Sequence, residues 1–498
     1  MKGLADYTGP VLESCDVLIV GSGPGGGTLA WKLAQSGLSV TVVEAGSWVK
    51  TFEKDFGKTI ASHFWDGGMR AVRGNVTFPT LQARALGGGS VFNSAICMRP
   101  TASALARWRA DHGLADYTEE ALAPHFDAVE AFFDIHPVAD EVMGRRNELF
   151  RDACNTLGWS VEKVRRNERG CVGSAECILG CRNEAKLSLD RRGIKEFVEA
   201  GGRVLTHLQV DQLLIEKGVA KGIVGHVVDG RATPLHHARI HAKVVVVAAG
   251  AINTPAILRR SGLRDRSVGD NLRFHPSGYL VGIFDDRVYP WTGATQGYHS
   301  TQFLNQGIKL ESLWATAPVF AQRFPLGVRQ FKRLLKRYDR AAVWDTWVSA
   351  EDSVGRVGVI PGTNKLDIQY DVGRGDLRRL QEGNALLAEL FAAAGAREVL
   401  TGIKGLPEVM DAAEAPRILR EAKLLPSDLP CGSNHVMGGA VMGADPTKSV
   451  CDGWGAVHGT ANLYLCDTSI FPTSPGVNPM LTAMALAHRL GEVLPGRV

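Results

Sequence analysis

Gly21, Gly23 and Gly26 stand in the spacing G-x-G-x-x-G directly after the apolar run Val17-Leu18-Ile19-Val20, and Glu44 closes a second apolar run that starts at Val40. Glycines at that spacing between a strand and a helix, with an acid at the end of the next strand, are suited to a dinucleotide. Gly21 permits the tight turn, Gly23 lets the backbone approach a pyrophosphate, and Gly26 lets the helix pack on the strand. Pro24 lies in the same turn. The helix start presents free N–H groups and the positive end of its dipole to phosphates. Glu44 can accept from both ribose hydroxyls of an adenosine and selects against a 2′-phosphate, and so against NADP. FAD and NAD both fit this fingerprint.

A second glycine-rich stretch, Gly87-Gly88-Gly89-Ser90-Val91-Phe92-Asn93-Ser94, would let backbone N–H groups approach a ligand, and read alone it is also a flexible turn. Cys171, Cys177 and Cys181 bring three thiols close in the chain. No fourth ligand follows at a matching distance, and the spacing is not that of a zinc or iron–sulfur site. Free structural thiols are preferred over a disulfide or a metal, and no metal site is expected.

These residues need elements to hold them. The 498-residue chain is long enough for two or more domains. Its 56 basic and 52 acidic residues leave a charge of +4, too small an imbalance to suggest a nucleic-acid partner. No apolar run is long enough for a transmembrane helix. The first fourteen residues have no apolar core that could serve as a secretory signal, so a cytoplasmic protein is expected. A helix follows the first glycine turn to about Ser36, and Ser39 to Val43 reads as a buried strand. Residues 47–80 have poor periodicity and read either as an arm across the surface or as an irregular connection.

Residues 108–134 turn helical, and a helix over 145–157 places Leu149, Phe150 and Ala153 on a core face. Strands are expected between Val204 and Glu216, and Val244–Val247 forms a further buried strand. The helix after it begins near Thr254-Pro255, with proline in its first turn. The middle of the chain is rich in aromatic residues, among them Trp291, Tyr298, Trp314, Phe320, Phe324, Trp344 and Trp347. There Val328, Phe331, Leu335 and Tyr338 share one face of a helix whose other sides are basic. Such a helix can lie on an anionic membrane. A solvated face over a packed stripe is the commoner case, so peripheral membrane contact is possible but not favoured.

The two glycine loops, followed by Val268-Gly269-Asp270-Asn271-Leu272-x2-His275-Pro276 and then by His435-x2-Gly438-x3-Met442-Gly443, a strand closing on Asp467 and the pair Asn478-Pro479, resemble the glucose–methanol–choline (GMC) oxidoreductases. The cysteine turn with Lys186 and Ser188 is similar to the branch of cholesterol and long-chain alcohol oxidases. The resemblance spans residues 15–495, with one departure at Gly439, where relatives carry Thr or Ser.

The resemblance implies an α/β fold with a discontinuous Rossmann-like FAD-binding domain (1–105, 165–276 and 431–498). A substrate domain (106–164 and 277–430) would be built on a mostly antiparallel sheet with helices. It also implies non-covalent FAD held by Gly21, Gly23, Pro24, Gly26, Glu44, Ala45, Gly87, Gly88, Ser90, Asn93, Ser94, Val210, Ala249, Gly250, Asp467, Asn478, Pro479 and Met480.

By the same resemblance, His435 takes the hydroxyl proton of an alcohol and Asn478 orients its oxygen, while the hydride goes to flavin N5. A neutral imidazole suits that task and an amide cannot take a proton. A hydrophobic alcohol is expected. A sugar or polyol dehydrogenase, or fatty-acid photodecarboxylation on the same fold, is the alternative. Oxygen, a quinone or a carrier protein could each accept the electrons.

Overall fold

In the computed structural model, which describes residues 1–264, 267–314, 316–317, 328–360, 363 and 365–498, the apolar runs form the middle of a seven-stranded sheet. Its order is Arg203–Leu205, Val40–Val43, Val11–Val20, Pro234–Val247, Val219–Val228 and Leu208–Glu216, and Leu463–Leu465 also pairs with Pro234–Val247. The first strand runs parallel to both neighbours, with Val17 opposite Val40 on one side and Val244 on the other. The strands at 208–216 and 219–228 are antiparallel. Strands covered on both faces must be apolar throughout, and Val17, Leu18, Ile19 and Val244–Val247 are all buried.

The helix Pro24–Leu33 packs against the last helix, Met480–Val493, above this sheet. A Cβ on Gly25 would lie 1.8 Å from the carbonyl oxygen of Cys466. Only glycine lets the helix start sit that close to the strand Leu463–Leu465 and the residues that follow it.

A second seven-stranded sheet is antiparallel at every pairing. Its order is Val409–Asp411, Glu398–Leu400, Ser277–Ile283, Ala341–Val348, Ile308–Leu313, Tyr298–Ser300 and Glu162–Lys163. Trp344 stands opposite Leu280 and Ser312. Trp344 also stacks on Phe391 of the helix Arg374–Ala393 at 4.0 Å and meets Phe150 of the helix Arg145–Leu157 at 5.3 Å. That face is therefore the helix-covered core. By the period of two, Ser277, Tyr279, Lys309, Glu311, Leu313, Asp345 and Trp347 belong to the other face. A third sheet orders Val436–Met437, Asp270–Phe274, Val354–Val359, Leu366–Asp371, Ala71–Arg73 and Thr77–Pro79.

The expected α/β fold, with a Rossmann-like sheet and a mostly antiparallel sheet covered by helices, agrees with this architecture, the third sheet was not expected, and the helix Arg145–Leu157 has the expected bounds. Other expectations are corrected. Residues 47–80 contain the helix Phe56–His63 and the strand pair Ala71–Arg73 and Thr77–Pro79, which joins the third sheet through Arg73 and Gln369. The helix after Val247 starts at Gly250, so Pro255 lies inside it and not in its first turn. Asp467 explains that early start, because its carboxylate accepts from the Gly250 N–H at 2.9 Å and from the Thr254 hydroxyl at 2.6 Å.

The helix near 328 ends at Leu335, and Tyr338 lies in a separate turn. That break shifts the phase, so Leu334 is buried with Tyr338 while Val328 and Leu335 are exposed. Trp314, Trp344, Trp347 and Tyr298 are core, whereas Trp291 is 38% exposed. Phe320 and Phe324 lie outside the described residues. Among the described residues no helix is long and apolar enough to cross a membrane.

Candidate active site

One cavity of about 1290 Å³ runs from the first glycine turn to His435. It exceeds the 300–1,000 Å³ typical of a single small-ligand site, which leaves room for a dinucleotide and a second molecule. Gly21, Gly23, Pro24, Glu44, Ala45, Gly88, Asn93, Ser94, Val210, Ala249, Gly250, Asp467, Asn478, Pro479 and Met480 all line it. Gly26, Gly87 and Ser90 do not. Gly26 packs on the Gly21 carbonyl. The Gly87 N–H donates to Ser22 Oγ at 3.0 Å, and the Ser90 hydroxyl donates to the Gly87 carbonyl at 2.7 Å. These three shape the wall from behind.

The two glycine loops touch. A Cβ on Gly88, which has φ of +54°, would come within 2.7 Å of the Gly23 Cα. The first N–H groups of the helix Pro24–Leu33 have no partner within the helix. Glu44 is buried at the end of its strand and accepts from Ser22 N–H and O–H and from Gly46 N–H, which hold its carboxylate in place. Burial pushes its pKa up, and those hydrogen bonds oppose the shift. Arg84, also on the wall, has a buried Nε without a protein partner. N–H groups at a helix start without intrahelical partners, a fixed acid and a guanidinium donor without a protein partner fit a bound dinucleotide.

At the far end, His435 precedes the strand Val436–Met437, which pairs with Arg273 and Phe274. That pairing puts His275 beside His435, and their Nδ1 atoms are 3.1 Å apart. His435 Nε2 is 3.3 Å from Asn478 Nδ2. His275 Nε2 meets Ser474 Oγ at 2.6 Å, and its ring stacks on Trp347 at 4.3 Å.

Burial pushes the His435 imidazole down to about 4; Glu311 opposes that shift and Lys309 adds to it. Burial, reinforced by His435, holds His275 well below the usual histidine value. Both rings are therefore neutral near pH 7, and a neutral imidazole that faces a cavity can accept a proton.

The sequence reading of the site missed Lys309, Glu311 and Gln296, and gave His275 no role. Lys309 Nζ donates to Asn478 Oδ1 at 3.0 Å and to the Glu311 carboxylate, and Gln296 Nε2 donates to Glu311 at 2.6 Å. The strand Ile-Lys-Leu-Glu-Ser-Leu alternates as a half-solvated strand would, so its pattern gave no hint that both charges are buried.

The cysteine turn supports the second glycine loop. The Arg166 guanidinium donates to Cys177 Sγ at 3.0 Å. Lys186 Nζ donates to the carbonyls of Cys177, Val91 and Asn93. Burial pushes the Cys177 thiol up, and Arg166 and Lys186 more than offset that, leaving it below the usual thiol value. The three cysteines are unpaired. Among the described residues the one group with metal-ligand character is His125, His488 and Glu492, far from this turn in sequence. There the two Nδ1 atoms contact at 3.1 Å and Lys32 pairs with Glu492 at 3.2 Å, so the group is satisfied by its own members and a lysine.

Family models described as GMC oxidoreductase match residues 19–277 and 352–487. An uncharacterized GMC-type oxidoreductase of Mycobacterium tuberculosis is 33% identical over 98% of this chain and 77% of its own length. The long-chain-alcohol oxidase FAO3 of Arabidopsis thaliana is 29% identical over 95% of this chain and 67% of its own. Among solved structures, pyridoxine 4-oxidase from Mesorbium loti superposes with a TM-score of 0.73 at 20% identity, covering 96% of this chain and 98% of that one. The two models together match well over half of the chain, including the first glycine turn, His275, His435 and Asn478, and the chain belongs to the GMC oxidoreductase family.

Proposed function

We propose that this protein oxidises a hydrophobic alcohol to an aldehyde or ketone with non-covalently bound FAD, and that His435 takes the hydroxyl proton. The observation that carries the reading is the pair His435 and Asn478, 3.3 Å apart on the cavity wall, with the imidazole held neutral by its surroundings. Bound flavin supplies the hydride acceptor. The protein's own part is to seat the alcohol oxygen between the Asn478 amide and His435, so that the hydroxyl takes the place of the Asn478 N–H as donor to Nε2 and passes its proton there, and to keep bulk water away. Positioning and general-base catalysis are the two terms this requires.

Phe56, Phe64, Phe78, Leu313, Ile368 and Trp347 give the wall its apolar area, which favours a hydrophobic substrate, as do the long-chain-alcohol oxidases among the relatives. We also propose the division of the chain into a cofactor domain (1–105, 165–276 and 431–498) and a substrate domain (106–164 and 277–430).

Long-chain, aromatic and sterol alcohols, mixed anaerobically with the purified protein, should bleach its yellow absorbance. Bleaching by sugars or polyols alone would overturn the substrate class, and no bleaching by any alcohol would overturn the reaction. Acid denaturation should release free FAD, and flavin that stays on the precipitate would mean a covalent link.

The cradle makes a separate prediction. Gly25→Ala places a methyl 1.8 Å from the Cys466 carbonyl oxygen. Overpacking typically costs about 1–3 kcal/mol, and here the helix that faces the phosphates must move. The purified variant should show a markedly lower ratio of flavin to protein absorbance. A wild-type ratio would show that the helix start does not contact the cofactor.

A further inference from the structure

A neutral imidazole has one ring nitrogen with a proton and one with a lone pair, and only the second can take a proton from substrate. We infer that Lys309 is a positioning residue that decides which nitrogen of His435 carries the proton, acting through the amide of Asn478. The inference rests on the reading of His435 as the base.

The argument follows donor and acceptor roles along one chain of contacts. The two ends of an asparagine amide have the same shape, so Asn478 alone has no preferred direction. A lysine ammonium has only donors. Lys309 Nζ lies 3.0 Å from Asn478 Oδ1, donates also to Glu311, and is fully buried with it. The carbonyl end of Asn478 must therefore face Lys309, and its N–H₂ must face His435.

Nδ2 then donates to His435 Nε2 across 3.3 Å, which requires a lone pair on Nε2 and places the ring proton on Nδ1. His435 Nδ1–H donates in turn to His275 Nδ1 at 3.1 Å. The proton of His275 is thereby left on Nε2, where it donates to Ser474 Oγ at 2.6 Å. Ser474 Oγ accepts the Gly476 N–H as well, and a hydroxyl can both donate and accept, so this end imposes no direction. The ammonium at the other end does. With the amide reversed, Asn478 would turn a carbonyl toward His435, the proton would move to Nε2, and the base would be lost.

The test uses the holoenzyme with ring-¹⁵N-labelled histidine, the His435 signals being assigned by their loss in His435→Gln. Protonated and unprotonated ring nitrogens give well-separated signals, so the tautomer is read without turnover. Wild type should show Nδ1 protonated and Nε2 bare. Lys309→Met should give mixed or reversed signals and slow anaerobic flavin reduction by about tenfold or more, the scale of one hydrogen bond lost from the transition state. Lys309→Arg should restore both.

Because Lys309→Met leaves the buried Glu311 carboxylate without its cation, Lys309→Met/Glu311→Gln serves as the second variant and should show the same loss of tautomer bias. An unchanged wild-type tautomer in the folded lysine variants overturns the inference. A tautomer that responds to Lys309 while His435→Gln reduces flavin at the wild-type rate overturns the base assignment and leaves the positioning role standing.

Discussion

His435→Ala should leave the flavin bound and slow its reduction by substrate by about 10²–10⁴-fold, the range of a lost general base. His435 stands beside the cavity at the edge of the third sheet and shares no hydrogen bond with the glycine loops, so the loss should fall on proton removal and not on cofactor retention. Asn478→Ala should cost less, because it removes an orienting group and leaves the base in place. The pH profile gives an independent check. With the imidazole pushed down to about 4, the ring is neutral from about pH 5 upward. The rate constant for reduction should therefore be flat through neutrality and fall only near pH 4.

The same shift has a sign for stability. Folding favours the neutral ring, so this contribution is fully present above the unfolded value of about 6.5 and is lost as pH falls through 4. His275 acts in the same direction, and so does His488, also held at about 4, so the melting temperature should drop between pH 6.5 and 4. Rapid-mixing reduction across that range separates the two effects from each other. Wild-type reduction by His435→Ala with flavin bound would place the base elsewhere.

What was legible in the sequence had local causes. The strand Val11–Val20, the glycine turn, the helix Pro24–Leu33 and the strand Val40–Val43 are neighbours in the chain, and their spacing carries their packing. The helix Arg145–Leu157 repeats every three to four residues and was readable for the same reason. His435 and Asn478 were identified by resemblance, and the fold brings their side chains together across 43 residues.

Residues 47–80 were not legible because their short strands exist only through distant partners. Arg73 pairs with Gln369, and Phe78 packs edge-on against Phe274 at 5.3 Å. Lys309 and Glu311 were hidden for a related reason. Alternating charges normally mark a solvent face, and only the packing of the second sheet against the cavity turns that face inward. The phase of the helix at Val328–Leu335 failed over one residue, because a turn before Tyr338 resets the period.

Glu311→Ala should destabilise the protein by about 3–5 kcal/mol, the usual cost of leaving one member of a buried ion pair without its partner. Lys309 and Glu311 are both buried on the cavity face of the strand Ile308–Leu313. Burial alone would push the Glu311 carboxyl up; Lys309 outweighs that and holds it below the usual value. Each charge is thus tolerated because the other is there.

Lys309→Met/Glu311→Gln removes both charges at similar volume, so most of the lost stability should return, to within about 1 kcal/mol of wild type. Catalysis should not return with it, because Asn478 then has no ammonium to fix its direction. Urea midpoints of the single and double variants, read beside their reduction rates, separate the two roles. A single variant as stable as wild type would mean that water solvates the pair. A double variant restored in both stability and rate would mean that the pair serves folding alone.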